Sequence, residues 1–229
     1  MYSGKEDLIN LFNMLQRDYF MRMTEMLAAV IAKILLKKEI KDYEAARAEI
    51  ESAAKTIVGI DLKLINMINT EDAVKLLKTA GFYAGKCLIC AELLKEYGNI
   101  HELEGKENES TGNFSKSLRF YVEALTSEEL PEPEKYFPEV DNLIHTLSGT
   151  EFTPEMNLKL TDYYEYSGQY SKAEDIFFEQ IENNNIQFLE KAFKFYKKLL
   201  KKTDEELENG NLSRQEAEES LQEIINKKL

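Results

Sequence analysis

Residues 17–38 read RDYFMRMTEMLAAVIAKILLKK, and their apolar residues recur at alternating steps of three and four. The recurring positions are Phe20, Met23, Leu27, Val30 and Ile34. This spacing predicts a single apolar seam along one face of an α-helix.

A second segment with the same rhythm follows after the short connection 37–41. Its recurring positions are Tyr43, Ala46, Ile50, Ala53 and Ile57. Gly59 then stands where a left-handed helix cap is expected. Because the connection leaves room only for a tight turn, the two seams are predicted to face each other in an antiparallel αα-hairpin.

The first helix is also apolar off its seam, so one partner helix cannot cover it. The off-seam residues are Met21, Met26, Ile31, Leu35 and Leu36. A second neighbour or another subunit is needed, and a homodimer through this first long helix is therefore one expected assembly. Methionine suits adaptable binding surfaces, although filling a core is its commoner use.

Composition favours a helical protein without a membrane or nucleic-acid role. Apolar residues make up 43% and charged residues 31% of 229 residues, with only ten Gly and four Pro, which argues against disorder and against a loop-rich β protein. A net charge of −13 repels phosphate backbones, so no nucleic-acid partner is expected. Lys5, Glu6 and Asp7 interrupt any targeting segment, and two cysteines fit a reducing compartment. We expect a cytoplasmic protein.

The chain beyond the hairpin carries start, stop and break signals. Glycine, glutamate, asparagine and serine concentrate in 104–113, which predicts a loop or a frayed helix end. Three prolines among acids predict a break at 126–138. Thr153, followed by proline and glutamate, and Ser213, followed three residues later by glutamate, predict helix starts. The predicted organisation is a hairpin region 1–80 and a helical region 81–229, with one continuous domain as the alternative.

A repeated unit appears when the segments are aligned. Gly168-x-Tyr170-x-x-Ala173-x-x-x-Phe177 matches Gly112-x-Phe114-x-x-Ser117-x-x-x-Tyr121, and a weaker copy begins at Tyr43. The unit resembles the second helix of a tetratricopeptide repeat. The resemblance implies an all-α, irregular array of antiparallel helical hairpins in a tetratricopeptide-repeat-like right-handed superhelix. The aromatic residues lie 71 and then 56 residues apart, so the array departs from the regular period of about 34.

A second resemblance covers roughly residues 17–126. The run Asp18-Tyr19-Phe20-Met21-Arg22-Met23, the hairpin end Gly59-Ile60-Asp61 and the stretch Ala91-Glu92-Leu93-Leu94-Lys95-Glu96 carry it. Together they resemble an uncharacterised family of Gram-positive bacterial proteins with an N-terminal Asp-Tyr-x-x-Arg-Met motif and a tetratricopeptide-like body. The likeness implies an architecture and supplies no substrate, cofactor or catalytic residue.

The only motif with redox or metal connotations is Cys87-x-x-Cys90. A redox pair needs a helix N-terminus, whereas these cysteines fall within an apolar helical stretch and are expected in the core. Two histidines, His101 and His145, are badly spaced for zinc or di-iron. No catalytic residue, metal ligand or cofactor is expected, and an enzyme is the third choice among functions.

The segment 186–202 carries six lysines and one glutamate beside an apolar stripe. A membrane or an acidic partner would suit such a helix, but a packed repeat helix whose lysines offset nearby acids is the simpler interpretation.

By the tetratricopeptide resemblance, one helix of each pair lines a ligand groove. Lys159, Asp162, Glu165 and Tyr166 would face that groove, and the two acids favour a basic or apolar ligand segment. The predicted function is a non-enzymatic protein–protein interaction scaffold or adaptor that binds a protein or peptide. The alternative is a peptide- or small-molecule-responsive regulatory protein of the helical-repeat type.

Overall fold

A computed structural model describes residues 3–78, 81–127 and 129–228, and these residues form twelve α-helices and no strand. In chain order the helices are α1 (Ser3–Glu39), α2 (Tyr43–Ala53), α3 (Leu62–Met67), α4 (Thr70–Lys78), α5 (Tyr83–Leu103), α6 (Glu107–Leu125), α7 (Phe137–Thr146), α8 (Pro154–Tyr166), α9 (Tyr170–Glu182), α10 (Ile186–Leu199), α11 (Asp204–Asn209) and α12 (Arg214–Lys228). The predicted all-α class is confirmed.

The chain divides into two compact units, unit 1 (Met1–Ser148) and unit 2 (Gly149–Leu229). This division differs from the predicted regions 1–80 and 81–229, and residue 80 itself lies outside the described residues.

Contacts of α5 with the first hairpin explain why unit 1 continues past residue 80. Lys38 of α1 forms an ion pair with Glu96 of α5 at 2.8 Å. Arg47 of α2 pairs with Glu104, directly after α5, also at 2.8 Å. Helix α5 therefore belongs to the same packed body as α1 and α2.

The first hairpin has the predicted form. Ile34 of α1 and Ile50 of α2 are fully buried. The Asp42 side chain accepts a hydrogen bond from the backbone N–H of Ala45 at 3.1 Å and so caps α2. Gly59 has φ +81° and ends the π-helical turn Ala54–Val58, which confirms the predicted left-handed cap.

The centre of unit 1 is the pair α5 and α6. Ser117 Oγ donates to the Ala91 carbonyl at 2.7 Å across this contact. Gly98 lies beneath the ring of Phe114, and a Cβ atom on Gly98 would stand only 2.5 Å from that ring. Glycine is required there because the two helices approach so closely.

The loop or frayed helix end predicted at 104–113 is wrong for residues 107–113, because α6 begins at Glu107. The turn is confined to the three residues before it and contains Gly105 at φ +72°. Gly112 consequently lies inside α6 and is not a turn glycine, unlike the corresponding glycine of the other repeat copy. The side chains of Ser110 and Asn113 are buried, and Asn113 Nδ2 donates to the Glu109 carbonyl at 2.7 Å.

The proline-bearing break lies inside unit 1. No α-helix occurs among the described residues between Leu125 and Phe137, where Pro133–Tyr136 form a 3₁₀ turn. Pro138 follows in the first turn of α7, where a missing N–H costs nothing.

Unit 2 begins with the hairpin of α8 and α9. Gly168 forms the turn at φ +75°, and Tyr170 and Phe177 are buried behind it. Both predicted helix starts are confirmed. Thr153 caps α8. At the start of α12 the Ser213 hydroxyl accepts from the Glu216 N–H, and the Glu216 carboxylate accepts from the Ser213 N–H. Helix α10 packs against both α9 and α12.

Helix α11 was not predicted from the sequence. It begins with a further capping box, in which the Thr203 hydroxyl accepts from the Glu206 N–H and the Glu206 carboxylate accepts from the Thr203 N–H.

Candidate functional site

The four predicted groove residues all lie on α8. Lys159 is half-buried and Tyr166 is 45% exposed. The two acids, Asp162 and Glu165, point toward α10 and form ion pairs with it.

Lysines of α10 neutralise these two acids. Lys191 Nζ lies 2.7 Å from Asp162 Oδ1, and it also donates to the Leu158 carbonyl. Lys198 pairs with Glu165. Burial lowers the pKa of Lys191, and the bond to Asp162 partly offsets this effect. Both acids are thus paired with α10, which weakens their attraction for a basic ligand, and the lysines of 186–202 do offset nearby acids.

A buried ionisable cluster lies between α4, α5 and α6. Arg119 and Glu123, one turn apart on α6, form an ion pair in which both side chains are at most 6% exposed. The Tyr83 hydroxyl donates to Glu123 Oε2 at 2.7 Å, and Glu71 accepts from Arg119 at 3.1 Å. The four-residue spacing of Arg119 and Glu123 was visible in the sequence, but no local sequence signal indicated that both side chains are buried.

The charged and polar groups of this cluster are paired with one another. Burial, and then the neighbouring Cys87 and Glu123, raise the pKa of the Tyr83 hydroxyl well above its usual value. Because Arg119 and Glu123 are hydrogen-bonded to each other and to further partners, the cluster binds three helices together. Its geometry offers no open position for a substrate.

Cys87 and Cys90 are fully buried free thiols of α5. Burial raises the pKa of Cys90 to about 12 and that of Cys87 above its usual range. Both thiols are thus protonated and unreactive, as their predicted core position requires.

Lys116 is a structural lysine that sequence reasoning missed. Its Nζ donates to the carbonyls of Ile65, Asn66 and Ile68 at 2.9, 2.6 and 2.9 Å. These carbonyls belong to the C-terminal end of α3, where a cation is favoured by the helix dipole. Burial lowers the pKa of this ammonium group.

The outer face of α1 is the largest concentration of exposed apolar side chains that the structure describes. Eight large side chains between residues 14 and 40 are 44–74% exposed: Met14, Leu15, Tyr19, Met21, Met26, Leu35, Leu36 and Ile40. Tyr19 also contacts the Phe82 ring edge-on, with centroids 5.6 Å apart. This face is therefore the candidate interaction surface of unit 1.

Metal binding and membrane spanning can both be assessed for the described residues. No group of three or more His, Cys, Asp or Glu side chains is arranged there to hold a metal ion. None of the described helices is long and apolar enough to cross a lipid bilayer.

Comparison with curated proteins and with solved structures gave no match. A family model does match, over residues 14–228, which is nearly the whole chain. This agrees with the expectation of an uncharacterised family, and the chain belongs to the family of unknown function DUF6483.

Proposed function

We propose that this protein is a non-enzymatic cytoplasmic scaffold that joins a second copy of itself through α1 and binds a further protein or peptide through unit 2. The observation that supports it is the exposed apolar face of α1. About half of each of eight large side chains is in water, an arrangement that costs free energy unless a partner covers it.

The charges on this face favour a second copy as the partner. Ala29 and Ala32 are exposed and small, which permits close approach of another helix. Arg22 lies seven residues before Ala29, and Glu39 lies seven residues after Ala32. Both charges are exposed and neither has an ion-pair partner in the described part of the chain. In an antiparallel pair centred on the alanines, each arginine faces the other copy's glutamate.

Self-association is tested by light scattering and sedimentation of the full chain over a range of concentrations. We expect a dimer that Leu36→Glu dissociates and Arg22→Glu weakens, because each change places charge against an apolar or acidic surface. Adding Glu39→Arg to Arg22→Glu should restore the dimer.

The matched control is Met67→Glu on α3, which alters an apolar side chain that is 84% exposed and lies off α1. It should leave the dimer intact. A monomeric wild-type chain at all concentrations, or a charge exchange that fails to restore association, would exclude the antiparallel dimer.

The second part of the proposal treats unit 2 as an irregular tetratricopeptide-like platform within the expected right-handed superhelix. The hairpin of α8 and α9 and the packing of α10 on α12 support it. Asp162 and Glu165 are paired with lysines, and Lys194 is itself paired with Glu190. The exposed Lys197 and Lys201 therefore leave this surface positively charged. An acidic protein segment is therefore proposed here, in place of the basic or apolar segment expected from the sequence.

Fluorescence anisotropy with matched acidic and basic peptides tests this surface. The acidic peptide should bind, and Lys194→Glu with Lys197→Glu should weaken it, whereas Lys172→Glu on exposed α9 surface should not. Preferential binding of the basic peptide would reverse the assignment. Binding of single-stranded RNA in preference to the acidic peptide would contradict the exclusion of nucleic acid argued from the net charge of −13.

A second candidate function is a peptide- or small-molecule-responsive regulator. One observation favours it, a polar cleft beside α8 whose lining includes the amide side chain of Asn157, which has no hydrogen-bond partner in the described part of the chain.

A further inference from the structure

A cleft of about 470 Å³ lies in unit 2, between the segment that enters α8 and the C-terminal turns of α9. The polar side chains lining it are Thr150, Glu151, Asn157, Glu179, Gln180 and Asn183. This volume falls within the range of small-molecule sites, which need a few convergent polar groups. None of these residues belongs to α1 or to the lysines of α10.

Asn157 is the feature that distinguishes this cleft from ordinary surface. The residue is 8% exposed and lines the cleft. Its backbone N–H donates to the Thr153 carbonyl at 2.9 Å, but its side-chain amide has no hydrogen-bond partner in the described part of the chain. The amide atoms of Asn157 are not sealed from solvent, so a ligand in the cleft can reach both their donor and their acceptor.

Gln180 stands in the same cleft as a second buried amide, 6% exposed. Its Oε1 atom accepts from Asn185 Nδ2 at 2.7 Å, which fixes the orientation of the amide. Its Nε2 group has no acceptor among the described residues and remains a donor. The two amides together offer donors for a carbonyl oxygen and, through Asn157 Oδ1, an acceptor for an N–H group.

The charge of the cleft selects a cation. Glu151 and Glu179 both line it, and neither has an ion-pair partner among the described residues. No lysine or arginine belongs to the lining. Phe152 adds an apolar surface against which an aliphatic stem can pack.

We propose that this cleft binds an arginine or lysine residue, presented either as the free amino acid or within a peptide. The carboxylates of Glu151 and Glu179 hold the cationic group, and Asn157 Oδ1 accepts one of its N–H bonds. The N–H groups of Gln180 and Asn157 donate to the carbonyl oxygen of the same residue. Such a ligand satisfies the unpaired amide and the unpaired acids at once.

Calorimetric titration of the full chain tests the site with four probes. These are free L-arginine, free L-lysine, a blocked Ala-Arg-Ala peptide and, as the anionic control, L-glutamate. We expect saturable binding of at least one cationic probe and none of glutamate. Binding of the free amino acid identifies a small-molecule site, and binding of the blocked peptide alone identifies a peptide site.

Two variants separate recognition from folding. Asn157→Leu keeps the shape while removing the amide, and Glu179→Gln removes one charge. Each should weaken binding by about tenfold or more, the typical effect of losing a hydrogen bond to a charged ligand. Glu182→Gln, an exposed change on the same helix but outside the lining, should leave binding unchanged.

Stability of the ligand-free chain supplies the decisive readout. Since the Asn157 side chain bonds nothing in the protein, Asn157→Leu should not lower the melting temperature. A lowered melting temperature would show that the amide serves the fold and would overturn the site. So would binding of no cationic probe, equal binding of glutamate, or cation binding that survives Asn157→Leu. The α1 variants leave this cleft untouched, so the self-association test succeeds or fails separately.

Discussion

Replacing Arg119 with methionine should destabilise unit 1 strongly. The Arg119 and Glu123 side chains are 4% and 6% exposed, so Glu123 would keep a buried charge without its principal partner. The partners that Glu123 keeps include the Tyr83 hydroxyl at 2.7 Å and Lys78 at 3.9 Å. Breaking a buried ion pair from one side costs about 3–5 kcal/mol, and the remaining partners place this case near about 3 kcal/mol.

The same geometry predicts that removing both charges costs less than removing one. In Arg119→Met with Glu123→Leu, no buried charge is left, and the main loss is the acceptor of the Tyr83 hydroxyl, about 1 kcal/mol. The double variant should therefore be about 2 kcal/mol more stable than Arg119→Met alone.

Urea unfolding of the full chain, followed by far-UV circular dichroism and by the fluorescence of its twelve tyrosines, measures these free energies. For a chain of this size, a loss of about 3 kcal/mol also lowers the melting temperature by roughly 6–12 °C. Lys75→Met, which removes an exposed pair with Asp72, is the control and should leave the midpoint unchanged. A double variant at least as unstable as the sum of the single variants would refute the reasoning.

Three further predictions concern single features of unit 1. Gly59→Ala should cost about 1–2 kcal/mol of unfolding free energy, because φ is +81° while the space for a Cβ is open; an unchanged urea midpoint would contradict it. Lys116→Met should speed hydrogen exchange at the end of α3, whose carbonyls lose their ammonium donor, and equal exchange would show that water replaces it. Because burial raises the pKa of Cys87 and Cys90, the unfolded chain loses these protons first, so stability should fall as pH rises above about 8.5. Urea midpoints of the wild-type chain and of the double variant Cys87→Ala plus Cys90→Ala, measured at neutral and alkaline pH, check the predicted fall in stability. An equal change of the midpoint with pH in both chains would contradict it.

Local sequence signals predicted the first hairpin, the Gly59 cap and the helix starts at Thr153 and Ser213, because each depends on residues within a few turns of one another. The apolar run around Cys87 likewise sufficed to place both thiols in a core. The spacing of nearby residues and their local backbone hydrogen bonding are enough to determine these features.

Features that depend on distant neighbours were missed. The polar start of α6 is read from the sequence as a loop or a frayed helix end, yet it is helical and buries Ser110 and Asn113. Asp162 and Lys191 are 29 positions apart in the chain, so their ion pair cannot be read from either helix alone. In the same way, the sequence near Asn157 does not reveal that its side chain lacks a hydrogen-bond partner, because this depends on residues that are close only in space.

The close contact of Gly98 and Phe114 has a consequence for the evolution of the family. A larger residue at position 98 would collide with the ring, unless position 114 shrank at the same time. Relatives that preserve this pairing of helices should therefore exchange the two positions together. An insertion in either helix near this contact would break the register, so length variation among relatives should collect in the turns instead.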